Sequence, residues 1–579
     1  MLALAVAGAA APAFAAERSA AEFFREFTDE WVRGNPNQAT ATRYFSGAEQ
    51  AALERQLTPE TRAWRHARVE LARRGLAELA KFDRARMTHD ERVSAELMQW
   101  QLSRLIEGEA YEDYRFPLDQ FGGANVSLVN TLTVTHPMVA PSDARNYVAR
   151  LGQVRTRMDE ALAEAGRLAA KRMIPPRFVL RSTLAQMQHF IGTPAAQNPL
   201  VSLFAERMAA IGELAADERE ALRTQAERIV ADEVYPAWKE AIALLESLLP
   251  AATDDAGLWR FEGGAAAYAH SLRRYTTTRL GPDEIHAIGL REVARLEGEM
   301  EKLLARLRRT EGTLAQRTAA LQRDLAYPNS EEGRAAIMAD IERILRDAEK
   351  RSALLFAQTP KAPVIARPYP PFRWASAAAS YNMPAPDGSR PGTFQIPLRP
   401  SYLTRYGLRT LVYHETVPGH HFQIALEMEN QALPRFRQLR AFGFISAYGE
   451  GWALYAERLA AEAGWYEGDP EGLLGQLAAE LFRARRLVVD TGLHAKRWTR
   501  ERAIAYGIGP SEVERYVVYP GQACSYMLGL LKILELRERA RGALGERYSP
   551  KDFHQVVLAA GTVPLELLER EVDAYIARR

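Results

Sequence analysis

Three of the chain's eleven histidines lie in one short stretch, YHETVPGHHFQIALE, residues 413–427. Its His-Glu pair, beginning at His414, matches the first half of H-E-x-x-H, in which two histidines one helical turn apart bind zinc and the glutamate acts as general base. The second half does not match, because Pro418 stands where the second histidine belongs. On a regular helix His420 would lie about 240° around the axis from His414, and His421 would lie about 10 Å farther along it. A regular helix therefore brings neither histidine to a metal bound by His414.

The Pro-Gly pair between these histidines introduces an irregularity that changes this geometry. Proline removes one helical hydrogen bond and clashes with the preceding turn, and glycine tolerates the unusual dihedral angles that result. If the bulge holds two extra residues, Gly419 and His420 occupy the positions of the Gly-His pair in H-E-x-G-H. We therefore predict His420 as the second metal ligand, with His421 as the alternative ligand or as a contact of the substrate or of a ligand. In the competing interpretation the helix ends at Pro418 and both histidines lie on the surface.

Two glutamates follow in FISAYGEGWALYAERLAAEAG, residues 444–464. A catalytic zinc site needs three protein ligands, an open position for water and a base beside that water. Glu450 is the candidate third ligand, and Glu415 is the candidate base. Glu457 lies on the same helix face as Glu450 and would orient a ligand histidine. The alternatives are a solvated glutamate favoured by the helix dipole for Glu450, and an ordinary surface charge for Glu457.

Tyrosines near the C-terminus are candidates for stabilising the negatively charged oxygen that forms when water attacks a carbonyl group. The segment YVVYPGQACSYMLGLLKILEL contains Tyr516, Tyr519 and Tyr526 around a Pro-Gly-Gln turn. Aromatic packing at the start of a helix would explain any one of them equally well. Tyr519 and Gln522 are also candidates for substrate binding.

A further candidate segment, VVDTGLHAKRWTRERAIAY, contains one histidine and several arginines. His494 would either hold a substrate carbonyl group or be a hydrogen-bonded histidine of the core. An arginine such as Arg500 would either bind the terminal carboxylate of a peptide through two hydrogen bonds or be an ordinary surface charge.

The elements that position these residues are predicted to be mostly helices. Apolar residues recur at three- and four-residue spacing between charges, as in SDARNYVARLGQVRTRMDEALAEAGRLAAKRM, residues 142–173. The best strand signal is RPGTFQIPLRP, residues 390–400, which is short, apolar and bracketed by proline and therefore predicts an edge strand. A softer boundary lies within residues 249–264. We predict a mostly α-helical chain with an N-terminal half, residues 17–255, and a catalytic half, residues 256–579, that contains a small β-sheet.

Composition excludes several classes of function. The 579 residues carry a net charge of +2, which argues against nucleic acid as a partner. Cys524 is the single cysteine, so an internal disulfide framework and a metal site of several cysteines are both excluded. Residues 1–16, MLALAVAGAAAPAFAA, are apolar and contain an Ala-Phe-Ala cleavage signature, which predicts a signal peptide and a periplasmic or secreted protein. This run is too short and too rich in alanine for a stable membrane anchor.

Several motifs together resemble a known bacterial family. The resemblance is to domain-of-unknown-function family 885, and it extends over most of the chain. The motifs that carry it are HETVPGHH, YGEGWALYAE, VDTGLH, YPGQACSY and DGSRPGTF. That family is similar to the gluzincin zinc peptidases, with thimet oligopeptidase, thermostable carboxypeptidases and angiotensin-converting enzyme as the nearest likenesses. The resemblance implies a long helical body in two halves, with a deep central channel and a small β-sheet beside the zinc helix.

The resemblance also implies roles for individual residues, although the two extra residues at Val417 and Pro418 depart from the peptidase pattern. The resemblance implies that His414, His420 and Glu450 are the metal ligands, with Glu415 as general base and Glu457 as a partner of the site. It implies that Tyr526 donates to the oxyanion. The strand from Gly392 through Thr393, Phe394 and Gln395 to Leu398 would pair with the substrate backbone.

From these observations we expect a periplasmic or secreted zinc (Zn2+) metallohydrolase that cleaves amide bonds in short peptides. One alternative keeps the chemistry and changes the substrate to a non-peptide amide. Another is a periplasmic binding protein with a relic metal site, against which the retention of Glu415 between the ligands argues. The sequence does not distinguish cleavage within a peptide from cleavage at its ends, and it does not give the oligomeric state.

Overall fold

The computed structural model describes residues 18–369, 371, 374, 378–386, 388 and 390–579. The predicted signal peptide lies outside these residues. The described chain is mostly α-helical, as predicted. No helix within the described ranges is both long enough and apolar enough to cross a bilayer.

Helices account for nearly all of the regular structure before residue 260. They are α1 (Ala20–Arg33), α2 (Pro36–Thr42), α3 (Gly47–Leu53), α4 (Arg62–Leu79), α5 (His89–Gly108), α6 (Ala124–Asn130), α7 (Pro141–Leu151), α8 (Val154–Ala170), α9 (Arg177–Ile191), α10 (Pro199–Ala209), α11 (Ala216–Ile229) and α12 (Tyr235–Leu248).

The remainder of the chain adds longer helices and a small sheet. In chain order these are α13 (Gly264–Thr276), α14 (Pro282–Arg306), α15 (Leu314–Asp324), α16 (Glu331–Leu355), β1 (Val364–Pro368), β2 (Ser380–Asn382), β3 (Gly392–Ile396), α17 (Leu408–Glu415), α18 (His420–Glu429), α19 (Arg435–Gln438), α20 (Ser446–Glu462), α21 (Pro470–Ala495), α22 (Arg500–Ala505), α23 (Pro510–Val518), α24 (Ser525–Leu544), α25 (Pro550–Ala559) and α26 (Leu565–Arg578).

The sheet corrects the prediction of an edge strand at residues 390–400. Its strand order is β1-β3-β2, with β1 parallel and β2 antiparallel to β3. The strand β3 is therefore central, and its backbone groups pair with β1 on one side and with β2 on the other. From Thr393 to Gln395 both sides of β3 are paired, which argues against the prediction that Gly392 to Leu398 pairs with a substrate backbone.

The buried apolar residues form two clusters. One contains Leu57 and residues between Leu118 and Ala252, among them the large side chains of Trp238, Tyr147 and Phe204. The larger cluster joins residues of α1, α4 and α5 to residues after Ala256. The division of the chain into two domains at residue 255 remains a prediction. The packing shows that the first helices share a core with residues of the second half.

Two helix pairs frame the region of the candidate site. The helices α14 and α21 run antiparallel, since Asp283 near the start of α14 bonds to Lys496 after the end of α21, and Arg295 bonds to Glu480 near the middle of both helices. The helices α20 and α24 run parallel and approach closely, because a Cβ atom on Gly451 would lie 2.5 Å from the Cα atom of Gly529.

Candidate metal centre

The break between α17 and α18 has the geometry of two extra residues. The Thr416 N–H still donates to Val412 O, the normal helical acceptor four residues back, at 2.9 Å. The Gly419 N–H donates to Tyr413 O at 3.0 Å, and the Phe422 N–H donates to Thr416 O at 3.2 Å. These two bonds each span six residues instead of four. The break therefore moves His420 to the turn where the second histidine of a regular motif would lie.

Glycine and tryptophan hold this break in place. A Cβ atom on Gly419 would lie 2.0 Å from His414 O and 2.3 Å from Tyr413 O, so no other residue fits without a shift of the backbone. The indole N–H of Trp452, on α20, donates to Pro418 O at 2.9 Å. The helix that contributes Glu450 thus also fixes the loop that positions His420.

The side chains of His414, His420 and Glu450 converge at one point. Their candidate ligand atoms all lie within 4.8 Å of one another. Glu450 Oε2 lies 3.6 Å from His414 Nε2 and 3.3 Å from His420 Nε2. A tetrahedral zinc ion with bonds of about 2.0–2.2 Å separates its ligand atoms by about 3.3–3.6 Å. Both the donor set and these distances therefore fit a zinc ion with three protein ligands.

Glu457 fixes the orientation of His414. Its Oε1 atom lies 2.7 Å from His414 Nδ1, so this nitrogen carries the proton and Nε2 is left with a lone pair for a metal. Glu457 is fully buried, and Arg483 Nη2 lies 3.7 Å from the same oxygen. The predicted role of Glu457 as the partner of a ligand histidine matches these contacts.

Charges within the cluster shift the pKa of its members. Burial alone would lower the pKa of His414, but the bonds to Glu450 and Glu457 raise it to about 9. Burial alone would raise the pKa of Glu450, but the two histidines hold it well below its usual range. Such strongly coupled groups are typical of functional sites.

Glu415 is buried beside this cluster, at the last position of α17. Burial raises the pKa of its carboxyl group, while the neighbouring His414 and His420 oppose that shift. A carboxylate whose pKa is raised towards neutrality is suited to accept a proton from water and to return it.

His421 lies next to the cluster but faces the sheet. Its Nδ1 atom is 3.0 Å from the Tyr381 hydroxyl, and its Nε2 atom is 3.0 Å from Ala362 O. Burial lowers its pKa to about 4, which agrees with a neutral ring that accepts from the tyrosine and donates to the carbonyl group. Both nitrogens are occupied, so the alternative assignment of His421 as metal ligand does not fit the structure.

Tyr526 and Gln522 lie where α24 begins, against the start of α20. The Ser446 and Ser525 hydroxyls are 2.7 Å apart, and Gln522 Nε2 donates to the Ser446 hydroxyl at 3.2 Å. Glu450 follows Ser446 by one helical turn on α20, and Tyr526 follows Ser525 directly. The helix starts that carry Glu450 and Tyr526 therefore lie side by side.

Three other predicted residues are held by contacts of their own. His494 accepts from the Leu258 N–H at 3.2 Å and donates to Tyr516 O at 3.0 Å, so it is a hydrogen-bonded core histidine and not a substrate contact. The Arg500 guanidinium donates to Glu514 at 2.7 and 2.9 Å, so one carboxylate already balances the charge of this one cation. Tyr519 packs edge-on against Tyr275 and lies close to Phe121.

The side chains of β3 are buried or contact neighbouring residues of the sheet. Phe394 is fully buried, the Gln395 amide accepts from Asn382 Nδ2 at 2.9 Å, and Thr393 bonds to Pro391 O at 3.2 Å. A Cβ atom on Gly392 would lie 2.6 Å from His421 Nδ1. Gly392 is therefore small because the histidine ring packs against the strand.

Comparison with other proteins identifies the family. Residues 36–572 match the family described as bacterial protein of unknown function, DUF885. The chain belongs to the DUF885 family. The crystal structure of a candidate lipoprotein from Colwellia psychrerythraea is 31% identical, with a TM-score of 0.88, and the match covers 97% of this chain and 100% of that one. The structure of a candidate lipoprotein of unknown function from Shewanella oneidensis is 19% identical, with a TM-score of 0.68. This match covers 96% of this chain and 99% of that one. No curated protein matches the sequence.

Sequence reasoning missed a group of charged residues in this DUF885 protein. Arg486 is 5% exposed and donates from Nη2 to Glu512 at 2.9 Å. Arg515 donates to the same Glu512 oxygen at 3.3 Å and to Gln522 Oε1 at 2.6 Å. The Arg486 guanidinium lies 4.5 Å from the centre of the Tyr526 ring. In the sequence, the run FRARRLVV on α21 resembles a solvated charged face, so only its apolar neighbours hinted at burial.

Proposed function

We propose that this protein is a zinc-dependent hydrolase that cleaves amide bonds in short peptides. The observation that carries the proposal is the convergence of His414, His420 and Glu450 at distances that suit a zinc ion, with the buried carboxyl group of Glu415 beside them. The same arrangement supports the finer likeness to the gluzincin zinc peptidases, in which a His-Glu helix and a glutamate on a second helix form the site.

A zinc ion bound there would supply Lewis acidity, polarising the substrate carbonyl group and making a water acidic. Glu415 accepts the proton of the attacking water and delivers it to the leaving amine. Glu457 keeps His414 in the tautomer whose Nε2 atom can bind the metal. The Tyr526 hydroxyl donates a hydrogen bond to the oxygen that becomes negatively charged.

A location outside the cytoplasm belongs to the same proposal. The apolar run of residues 1–16 has the pattern of a cleaved signal peptide. The similar proteins from Colwellia psychrerythraea and Shewanella oneidensis are each described as a candidate lipoprotein. A periplasmic or secreted enzyme would encounter short peptides from outside the cell or from the envelope.

A first prediction tests the proposal. Purified protein should contain about one zinc per chain, as expected for a site with three protein ligands, and should cleave members of a peptide library in a digest analysed by mass spectrometry. Chelation should stop cleavage, and zinc should restore it. Glu415→Gln should lose at least about 100-fold in rate, because the base is gone, while its zinc content stays unchanged.

The controls separate the alternatives. His414→Ala should lose the metal, and full retention of zinc in this variant would remove the assignment of the site. A protein that binds zinc but cleaves no peptide, while it hydrolyses small amides, would be a hydrolase of non-peptide amides. Zinc binding without any hydrolysis would support the non-catalytic binding protein.

A further inference from the structure

The guanidinium groups of Arg486 and Arg515 form a positively charged cluster beside Tyr526. Both donate to one oxygen of Glu512, which also accepts from the Tyr516 hydroxyl at 3.0 Å. Two fixed cations thus share one carboxylate. Asp490, one turn along α21 from Arg486, faces away towards the Tyr268 hydroxyl and the Gly521 N–H, and burial raises its pKa to about 7. It therefore offsets at most part of the second charge.

The hydrogen-bonding capacity of the cluster is also incomplete. Nε and Nη1 of Arg486 and Nε of Arg515 are buried without a well-formed hydrogen bond among the described residues, although the Tyr526 side chain lies close enough to interact with both guanidinium groups. The Arg486 guanidinium stacks between aromatic rings, 4.4 Å from the centre of Phe482 and 4.5 Å from that of Tyr526. A buried cation without a full set of partners is costly, so the fold retains this arrangement at an energetic disadvantage that an anion would relieve.

The cluster adjoins the candidate metal centre. Arg483, one turn before Arg486 on α21, lies 3.7 Å from the Glu457 oxygen that holds His414. Gln522 connects the two regions, because it accepts from Arg515 and donates to Ser446 at the start of the Glu450 helix. The side chain of Arg515 is 15% exposed, so it is the member of the cluster that solvent reaches.

We propose that Arg515, with Arg486 behind it, binds the C-terminal carboxylate of the peptide substrate. The inference rests on the proposed function and makes the enzyme one that removes residues from the free C-terminal end. A peptide carries an ammonium group at one end, which this cluster repels, and a carboxylate at the other, which a guanidinium binds through charge-assisted hydrogen bonds. Because each residue spans at most about 3.6 Å, an anion site next to the proposed oxyanion donor Tyr526 would favour the release of short C-terminal fragments.

Matched peptides test this assignment. The peptides have the same sequence and end in a free carboxylate or in an amide, and kcat/KM is measured for each with wild type, Arg515→Met and Arg515→Lys. Wild type should prefer the acid roughly 10- to 100-fold, the size expected for a charge-assisted hydrogen bond. Arg515→Met should lose that preference by slowing cleavage of the acid only, and Arg515→Lys should retain part of it.

Arg485→Met is the matched control. Arg485 precedes Arg486 on α21 but is directed to Glu297 on α14, 2.8 Å away, so its loss should leave the ratio of acid to amide unchanged. A purely structural cluster would lower the melting temperature of Arg515→Met without changing that ratio, and this result would overturn the proposal. A third peptide, amidated but with an acidic side chain near its end, distinguishes the sources of the carboxylate. If it is preferred over its neutral counterpart, the recognised carboxylate belongs to a side chain.

A binding measurement separates this inference from the hydrolase assignment. Zinc-loaded Glu415→Gln should bind the acid more tightly than the amide, and the added Arg515→Met change should remove the difference without turnover being needed. Cleavage of both peptides at equal rates would overturn carboxylate recognition and leave the hydrolase in place. Tighter binding of the acid with no cleavage by wild type would support carboxylate recognition and overturn the hydrolase assignment. Equal binding of the two peptides, or binding of neither, also overturns the inference.

Discussion

Each nitrogen of the His414 ring has its own partner. Nδ1 bonds to Glu457 at 2.7 Å, whereas Nε2 faces Glu450 at 3.6 Å, a separation that leaves room for a metal ion between them. The first contact decides the tautomer, and the tautomer decides which nitrogen can bind a metal. We therefore expect Glu457 to influence the affinity for a metal ion without being a ligand itself.

A second prediction follows for Glu457→Gln. This change keeps the size of the buried side chain but removes its charge, so zinc affinity should fall by about 10-fold or more. Competition with a chromogenic chelator measures the affinity. Glu462→Gln is the control, because Glu462 is on the same helix but pairs with Arg537 at 2.6 Å. Equal zinc affinities of wild type and Glu457→Gln would show that the contact does not support the metal.

A third prediction contrasts the two adjacent histidines. His420→Ala should release zinc, because its Nε2 atom lies 3.3 Å from Glu450 Oε2 within the candidate ligand set. His421→Ala should keep zinc and weaken the contact between α18 and the sheet, where it bonds to Tyr381 and Ala362. Metal analysis after dialysis and the thermal midpoint distinguish the two effects. Zinc loss in the second variant instead of the first would reverse the assignment of the ligand.

At the scale of elements, α20 and α24, which carry Glu450 and Tyr526, cross closely near their starts. Gly451 and Gly529 face each other there, and a Cβ atom on Gly529 would lie 1.9 Å from Ala447 O. The two helices therefore approach to a distance that larger residues would prevent. Glu450 directly precedes Gly451, so any widening of this crossing displaces a candidate ligand.

A fourth prediction concerns Gly529→Ala. Overpacking at this crossing should lower the free energy of unfolding by about 1–3 kcal/mol, and zinc affinity should fall with it because Glu450 moves. Gly542→Ala, on the same helix, is the control. No atom lies within 4 Å of a Cβ atom at that position, so the substitution should be neutral or slightly stabilising. Denaturant unfolding and zinc titration provide the two readouts, and similar behaviour of both variants would contradict the role of the crossing.

The sequence predicted some elements better than others for physical reasons. Residues whose chemistry is local, such as the pair His414 and Glu415 and the break at Pro418, could be recognised from type and spacing. The neighbours of β3 could not, because β2 has three residues and β1 has five, too few for a periodic pattern. For this reason the sequence predicted β3 as an edge strand, whereas it is the central strand of the sheet.

At the scale of the whole molecule, burial decided what the sequence left open. His494 and Arg500 were chosen by residue type, but their partners are Leu258, Tyr516 and Glu514, which lie on other elements. The cluster around Arg515 was missed for the same reason, since a charge on an amphipathic helix is usually solvated. Long-range packing of α21, α22 and α23 against their neighbours buries or partly buries these charges, and no local pattern contains that information.

The last prediction concerns proton uptake when the whole chain unfolds, and it uses a histidine far along the sequence from the candidate metal centre. His136 donates from Nε2 to Asp143 O and accepts from Arg150 on Nδ1, each at 2.9 Å. Burial, assisted by the positive charges of Arg150 and Arg207, lowers its pKa to about 3. The unfolded chain, in which a histidine has a pKa of about 6.5, therefore binds a proton that the folded chain does not.

The stability contributed by neutral His136 is complete above about pH 6.5 and is lost as the pH falls towards its folded pKa of about 3. His136→Gln should be less stable than wild type at pH 7, because the imidazole ring no longer bonds to both Asp143 O and the Arg150 guanidinium. Its free energy of unfolding should also fall less steeply below pH 6, by up to about 1.4 kcal/mol per pH unit. Urea unfolding between pH 4 and 7, with a chelator in both samples to remove metal effects, measures the two slopes. Parallel curves would mean that His136 takes up its proton at the same pH in the folded and the unfolded chain, which would contradict the lowering of its pKa by burial and Arg150.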